Sequence, residues 1–144
     1  MYKNILVPTD GSDITAKAVD SAIRLAQTLG ARICAISVKE PFPYSTISEM
    51  QPTPPQEFFD AQERIAQQRV QVVVAACAAA GVACEAHTVE AMHPWEAIVE
   101  HADRMKCDLL VMASHGRRGV SALLLGSETQ KVLTHSTLPV LVVR

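Results

Sequence analysis

The sequence has no excess of charge of either sign. Its 144 residues carry 13 lysines and arginines against 15 aspartates and glutamates, which gives a formal net charge of −2. Proteins that bind the phosphate backbone of nucleic acids rely on a strongly basic surface. We therefore expect no nucleic-acid partner.

Long hydrophobic runs are also missing. A membrane-spanning helix needs roughly 18 consecutive apolar residues, and no stretch approaches that length. Residues 1–5 lead directly into a strand-like run and contain neither the apolar core nor the cleavage site of a secretory signal. We expect no membrane contact and a cytoplasmic location.

The sequence also lacks the usual metal and redox spacings. Its four cysteines never form Cys-x-x-Cys and lie among aliphatic residues, as expected of small buried side chains in a reducing compartment. No two of the scattered histidines lie at i, i+4 with a carboxylate partner. No metal site is therefore expected from these residues: Cys34, Cys77, Cys84, Cys107, His87, His93, His101 and His135.

Apolar residues make up 49% of the chain, enough for the core of one domain over residues 1–144. Short apolar runs predict strands, and periodic apolar residues between helix start and stop signals predict helices. The strands are expected at 5–7, 33–38, 82–89, 109–113 and 139–143, and the helices at about 12–30, 56–80, 94–105 and 127–135. Strands joined by helices form a parallel sheet, so we predict an α/β three-layer sandwich.

Ligands of such sheets bind beyond the carboxyl ends of the strands. Three of the six glycines, Gly116, Gly119 and Gly126, cluster after the fourth predicted strand, where glycine lets a backbone approach a ligand closely. The helix that follows Gly126 would offer free N–H groups and a positive dipole end to an anion. The alternative is a capping box in which Ser127 is the N-cap and Gln130 reaches back to it.

These residues resemble the universal stress protein family. Ser114-His115-Gly116, followed after nine residues by Gly126-Ser127, is similar to the family's nucleotide loop. The segments at 5–12 (ILVPTDGS) and 139–143 (PVLVV) are similar to the family's two ends, and the resemblance covers the chain apart from about 39–55. It implies a Rossmann-like fold, similar to that of the adenine nucleotide alpha hydrolases, with strand order 3-2-1-4-5.

The resemblance also implies a site for ATP or AMP, with Mg²⁺ as a candidate companion ion. Adenosine would be bordered by Pro8, Thr9 and Asp10, while the adenine would meet the backbone of Val38 and lie near Met112. The phosphates would be held by Gly116, Gly126, Ser127, Glu128 and Thr129, largely through N–H groups and hydroxyls. Arg117 is a candidate phosphate partner, or alternatively a solvated loop arginine.

Two positions depart from the family pattern. Ala113 stands where the pattern has its first glycine, and its methyl group would be tolerated only at negative φ. Glu128 stands where a small or apolar residue is frequent, and its carboxylate would repel phosphates unless it pointed away or bound Mg²⁺. Both departures favour the alternative of a nucleotide-independent dimeric scaffold of the same fold.

No residue is assigned a catalytic role. No dedicated base or metal-ligand pair supports fast turnover, so we expect at most slow ATP hydrolysis. His115 is the one candidate acid or base, which leaves a hydrolase as the least favoured function. Asp10 as a phospho-acceptor would need further acids and a lysine after the fifth strand, which the chain lacks.

Two segments bear on the surroundings of this site. The stretch 39–55 contains five of the eight prolines and is interpreted either as a lid over the adenine side or as a surface loop packed by its own aromatic residues. The strand Val140 to Val143 would form an apolar sheet edge, which predicts a homodimer through this strand. The function implied is a small dimeric stress-response module that senses or regulates through an adenine nucleotide.

Overall fold

The computed structural model describes residues 1–42, 55–117 and 125–144. Its elements are β1 (Asn4–Pro8), α1 (Asp13–Leu29), β2 (Arg32–Lys39), α2 (Gln56–Ala79), β3 (Cys84–Glu90), α3 (Pro94–Arg104), β4 (Leu109–Ala113), α4 (Ser127–His135) and β5 (Val140–Val143). Gly119 and the greater part of the segment 39–55 lie outside the described residues, so the lid interpretation stays a prediction.

The strands form one parallel sheet in the order β3-β2-β1-β4-β5. The α/β architecture and the 3-2-1-4-5 order are therefore confirmed. Successive side chains along each strand point alternately into two hydrophobic cores, one on each face of the sheet. Ile5 and Val7 face the core under α1 and α2, whereas Leu6 faces the core under α3 and α4. Both faces of the central strands are covered, which explains their continuous apolar runs.

Local signals set the helix ends. The Ser12 hydroxyl accepts a hydrogen bond from the N–H of Thr15 at the start of α1, and Gly30 ends that helix in the left-handed conformation with φ 67°. Pro94 is the first residue of α3, where its missing N–H is not needed. No helix within the described ranges is both long and apolar enough to cross a membrane.

Helix α2 leaves two of its large apolar side chains partly in solvent: Val72 is 69% exposed and Ile65 is 39% exposed. The buried face instead carries Ala66, Val70, Val73 and Cys77. Small apolar residues of α2 lie on several sides of the helix, so their spacing in the sequence does not single out one buried face.

Candidate functional site

The turn after β1 is held by the carboxylate of Asp10. Its Oδ1 atom accepts hydrogen bonds from the N–H of Ser12 at 2.9 Å and from the hydroxyl of Thr15 at 2.8 Å. Its Oδ2 atom accepts one from the N–H of Arg117 at 2.6 Å, and the Arg117 guanidinium donates to the Asp10 carbonyl at 3.0 Å. These bonds connect the start of α1 to the loop after β4.

The same bonds set the charge of Asp10. Burial raises the pKa of the carboxyl, but the hydrogen bonds from Ser12, Thr15 and Arg117 outweigh burial and hold that pKa below its ordinary value. Asp10 is therefore ionised at neutral pH. Because its oxygen atoms already accept three hydrogen bonds from the chain, it shapes this edge of the sheet before any ligand arrives.

Two glycines allow the loop after β4 to close on its neighbours. A Cβ atom on Gly116 would lie 2.8 Å from Oδ2 of Asp10, and one on Gly126 would lie 2.9 Å from the Cα atom of His115. The N–H of Gly126 donates to the Ser114 carbonyl at 2.7 Å. A larger residue at either position would separate these groups. The first turn of α4 is consequently held against the carboxyl end of β4.

The start of α4 is not a capping box. Gly126 is the N-cap residue and has no side chain, Ser127 is the first helical residue, and the Gln130 side chain donates to the Leu125 carbonyl at 2.7 Å. The capping-box alternative was therefore wrong. The first-turn N–H groups and the positive dipole end receive no cap from the N-cap side chain.

The two hydroxyls of this turn differ. Ser127 is exposed, whereas Thr129 is 2% exposed and donates its hydroxyl hydrogen to the Ala113 carbonyl at 3.0 Å. In this structure the Thr129 hydroxyl hydrogen attaches α4 to β4, so we propose no phosphate contact for it. Its N–H belongs to the first turn of α4, where N–H groups have no partner within the helix.

Both departures from the family pattern have a structural explanation. Ala113 is in β4, and its side chain packs into the core under α1 and α2. Its φ is negative, since Lys106 is the one non-glycine residue of positive φ in the described ranges. Glu128 turns toward α3, where its Oε2 atom accepts a hydrogen bond from the N–H of Trp95 at 2.8 Å. His93, the N-cap residue of α3, provides no such bond from its side chain. Glu128 thus caps α3 and uses its charge there.

The remaining predicted site residues lie along the same edge. Pro8 ends β1, and the buried Thr9 donates its N–H to the Ile36 carbonyl at 2.9 Å. Met112 is buried in β4 on the face under α3 and α4. Backbone groups alternate in direction along a strand, so Val38, two residues beyond Ile36, presents its N–H and carbonyl on the β1 side. Because β1 has ended at Pro8, these groups face the crevice.

Three of the five histidines lie beside other side chains with polar or metal-binding atoms, in two separate places. His115 lies in the loop after β4, where its Nδ1 atom is 3.2 Å from the Ser114 hydroxyl. Sequence reasoning missed a second cluster, in which His87 and His101 lie beside Cys34 on the face under α3. The three residues come from three separate elements, β2, β3 and α3, so no local spacing signal exists for them.

The four cysteines otherwise match the expectation of small core side chains. All four are free, and Cys34, Cys77 and Cys107 are buried. Burial raises the pKa of the Cys77 thiol to about 12, while hydrogen bonding with Cys107, together with burial, raises the pKa of Cys34. Protonated thiols of this kind are poor nucleophiles.

The sequence of this chain is similar to those of known proteins of one family. The profile of the Universal stress protein family matches residues 1–144. A universal stress protein of Thermus aquaticus, named for its position 3′ of a QAH/OAS sulfhydrylase gene, is 37% identical over 145 residues and is aligned over the full length of both chains.

The fold is shared with solved structures, of which two serve as examples. The structure of the Methanocaldococcus jannaschii protein MJ0577 superposes with a TM-score of 0.84 at 26% identity, covering 99% of this chain and 96% of that one. A universal stress protein in complex with cAMP gives a TM-score of 0.73 at 28% identity, covering 99% and 97% of the two chains. From the whole-length match and the Thermus relative, we conclude that this chain belongs to the universal stress protein family.

Proposed function

We propose that this protein binds an adenine nucleotide at the carboxyl edge of its sheet and serves as a small stress-response sensing or regulatory module. The observation that carries the proposal is the first turn of α4, which begins at a glycine N-cap without a side-chain cap and is held against the end of β4. The cAMP complex of a structural neighbour of the same family supports an adenine nucleotide as the ligand.

The ligand would extend across the edge in two parts. Its phosphates would meet the N–H groups of Ser127, Glu128 and Thr129, the Ser127 hydroxyl and the guanidinium of Arg117. Its adenosine would lie between the turn at Pro8 to Asp10 and the outward backbone groups of Val38. ATP and AMP are the proposed nucleotides, with Mg²⁺ as a companion to ATP.

The alternative is a nucleotide-independent dimeric scaffold, which is based on Ala113 and Glu128 as obstacles to the nucleotide. Two contacts weigh against it: the Ala113 side chain packs into the core, and the Glu128 carboxylate caps α3. Mass spectrometry of the unheated, purified protein tests the choice directly. Retained or added adenine nucleotide that co-elutes with the protein supports the proposal. If calorimetric titration with ATP, ADP and AMP, with and without Mg²⁺, gives no binding heat, the scaffold function replaces it.

A pair of substitutions at one position tests the first turn of α4. Ser127→Pro removes one N–H group and the hydroxyl yet suits the first helical position, and Gly126 already has the extended conformation (φ −61°, ψ 149°) that a following proline requires. Ser127→Ala removes the hydroxyl alone. We expect the proline variant to lose at least about tenfold in nucleotide affinity, and the alanine variant clearly less. Equal affinities for wild type and the proline variant would contradict the placement of phosphate.

The proposal includes a homodimer through β5. Val140–Val143 is an edge strand that pairs with β4 on one side, and Leu141 is 43% exposed. Pro139 and Val143 bond to β4 through their carbonyls, so Val140 and Val142 direct their backbone groups to the open edge. Pairing of two edges would satisfy those groups.

A proline in the edge strand tests the dimer. Val142→Pro removes an outward N–H without removing a bond to β4, and edge strands accept proline for that reason. We expect this variant to sediment as a monomer and the matched Val142→Thr variant as a dimer. Wild-type protein that sediments as a monomer at every concentration would contradict the dimer. A cytoplasmic location is part of the same proposal and is tested by cell fractionation.

A further inference from the structure

Three side chains with metal-binding atoms meet between the sheet and α3. Cys34 on β2, His87 on β3 and His101 on α3 each place one such atom within 4.8 Å of the other two. Cys34 and His101 are 6% and 4% exposed, whereas the His87 side chain is 33% exposed. The cluster is therefore mostly enclosed but is open to solvent on the His87 side.

His101 is the member that the fold itself does not explain. Neither of its ring nitrogens has a hydrogen-bond partner in the part of the chain that the structure describes. A neutral imidazole offers one donor and one acceptor, and buried polar atoms in folded proteins are nearly always paired. A group that binds an imidazole nitrogen would supply the contact that His101 lacks.

The ring of His87 is positioned beside it. The two imidazole centroids are 4.9 Å apart, and Nε2 of His87 lies 3.0 Å from Oε1 of Glu85. Arg32 in turn approaches the other oxygen of Glu85 at 3.8 Å. A carboxylate that fixes the orientation and tautomer of a histidine is the usual outer partner of a metal-ligating imidazole.

We propose that Cys34, His87 and His101 bind a Zn²⁺ ion, with the fourth position left to water. One thiolate and two imidazoles suit this borderline-soft cation, and coordination releases the Cys34 proton to solvent. Tetrahedral zinc with bonds of about 2.0–2.3 Å would separate one sulfur and two nitrogen ligands by roughly 3.3–3.6 Å. The three atoms lie within 4.8 Å of one another, so they need to close by up to about 1.5 Å. The site is distinct from the nucleotide edge and independent of the function proposed there.

Titration of the full-length protein with Zn²⁺ against a chromophoric chelator measures the stoichiometry and affinity. Co²⁺ in place of Zn²⁺ adds a near-ultraviolet thiolate-to-cobalt band that reports Cys34 itself. We expect one equivalent bound per chain and a thiolate band for wild type. Cys34→Ala should remove both the thiolate band and zinc binding. His87→Ala should also remove zinc binding, and because the His87 side chain is partly exposed, this substitution should not disturb the fold.

Matched variants separate this site from adventitious binding. Cys77→Ala removes a buried thiol under the opposite face, and His93→Ala removes an exposed histidine; both should bind zinc as wild type does. Glu85→Gln should weaken zinc about tenfold or more while the thiolate band remains. Absence of zinc binding by wild type, or binding that survives both Cys34→Ala and His87→Ala, would overturn the proposal.

Discussion

The edge of the sheet at Asp10 and the face under α3 at His101 differ in how their polar side chains are paired. The Asp10 carboxylate accepts three hydrogen bonds from three other residues, whereas neither nitrogen of His101 has a partner among the described residues. The first arrangement keeps its shape without a ligand. The second leaves a buried group whose desolvation nothing in the described chain offsets, which is the condition expected where a ligand supplies the missing bond.

The largest expected effect comes from removing the paired group. Asp10→Ala leaves the N–H groups of Ser12 and Arg117 and the Thr15 hydroxyl without their acceptor, so the free energy of unfolding should fall by about 3 kcal/mol. Urea denaturation at pH 7 measures the change. Asp13→Ala, an exposed acid in the first turn of α1, is the matched control and should cost less than about 1 kcal/mol. Similar losses for the two variants would show that the Asp10 bonds add little.

The pH dependence sharpens the same test. The folded-state pKa of Asp10 lies below the unfolded value of about 3.9, so the unfolded chain takes up the proton first as the pH falls. The stabilisation is thus present above that value and is lost as the pH falls through the folded pKa. Denaturation from about pH 5 down to pH 3 should reduce the stability gap between wild type and Asp10→Ala. A constant gap would indicate that the carboxylate charge is not involved.

The unpaired group should respond to a metal instead. A ligand that binds the folded state alone, present at one hundred times its Kd, raises the free energy of unfolding by about 2.7 kcal/mol. Zn²⁺ should therefore stabilise wild type and leave His87→Ala unchanged in thermal denaturation. Equal stabilisation of both proteins would break the contrast between the two regions.

A substitution at Gly126 tests how closely the start of α4 packs against the loop after β4. At φ −61° an alanine would ordinarily stabilise the chain by about 0.4–1 kcal/mol, because it restricts the unfolded state. Here its Cβ would lie 2.9 Å from the backbone of His115, which cannot move as a flexible side chain does. We expect Gly126→Ala to destabilise the fold by about 2 kcal/mol, with Ser127→Ala as the near-neutral neighbour. Stabilisation by Gly126→Ala would mean that the loop relaxes freely.

The sequence predicted what depends on local signals. Ser12 marks a helix start through its side-chain hydroxyl, whereas Gly30 and Pro94 mark helix ends through their backbone preferences. Apolar runs mark strands whatever surrounds them. Contacts between distant residues had no such signal. The partner of the Glu128 carboxylate is one example, because the packing of α3 against α4 gives it the N–H of Trp95. Cys34, His87 and His101 likewise share a place only because β2, β3 and α3 are neighbours.

Substitution of Glu128 has the smallest expected effect on stability, and it distinguishes a carboxylate that caps α3 from one that repels phosphate. Glu128→Gln keeps an oxygen acceptor for the Trp95 N–H but removes the charge at the start of α3, which should cost about 0.3–1 kcal/mol of stability. Glu96→Gln, in the first turn of α3, removes an equivalent charge without that bond and is the matched control. Because the Glu128 carboxylate is directed to α3, nucleotide affinity should change less than about twofold, under half a kcal/mol. A clear gain in affinity for Glu128→Gln would instead show that its charge repels the phosphates, and the departure from the family pattern would then weaken binding.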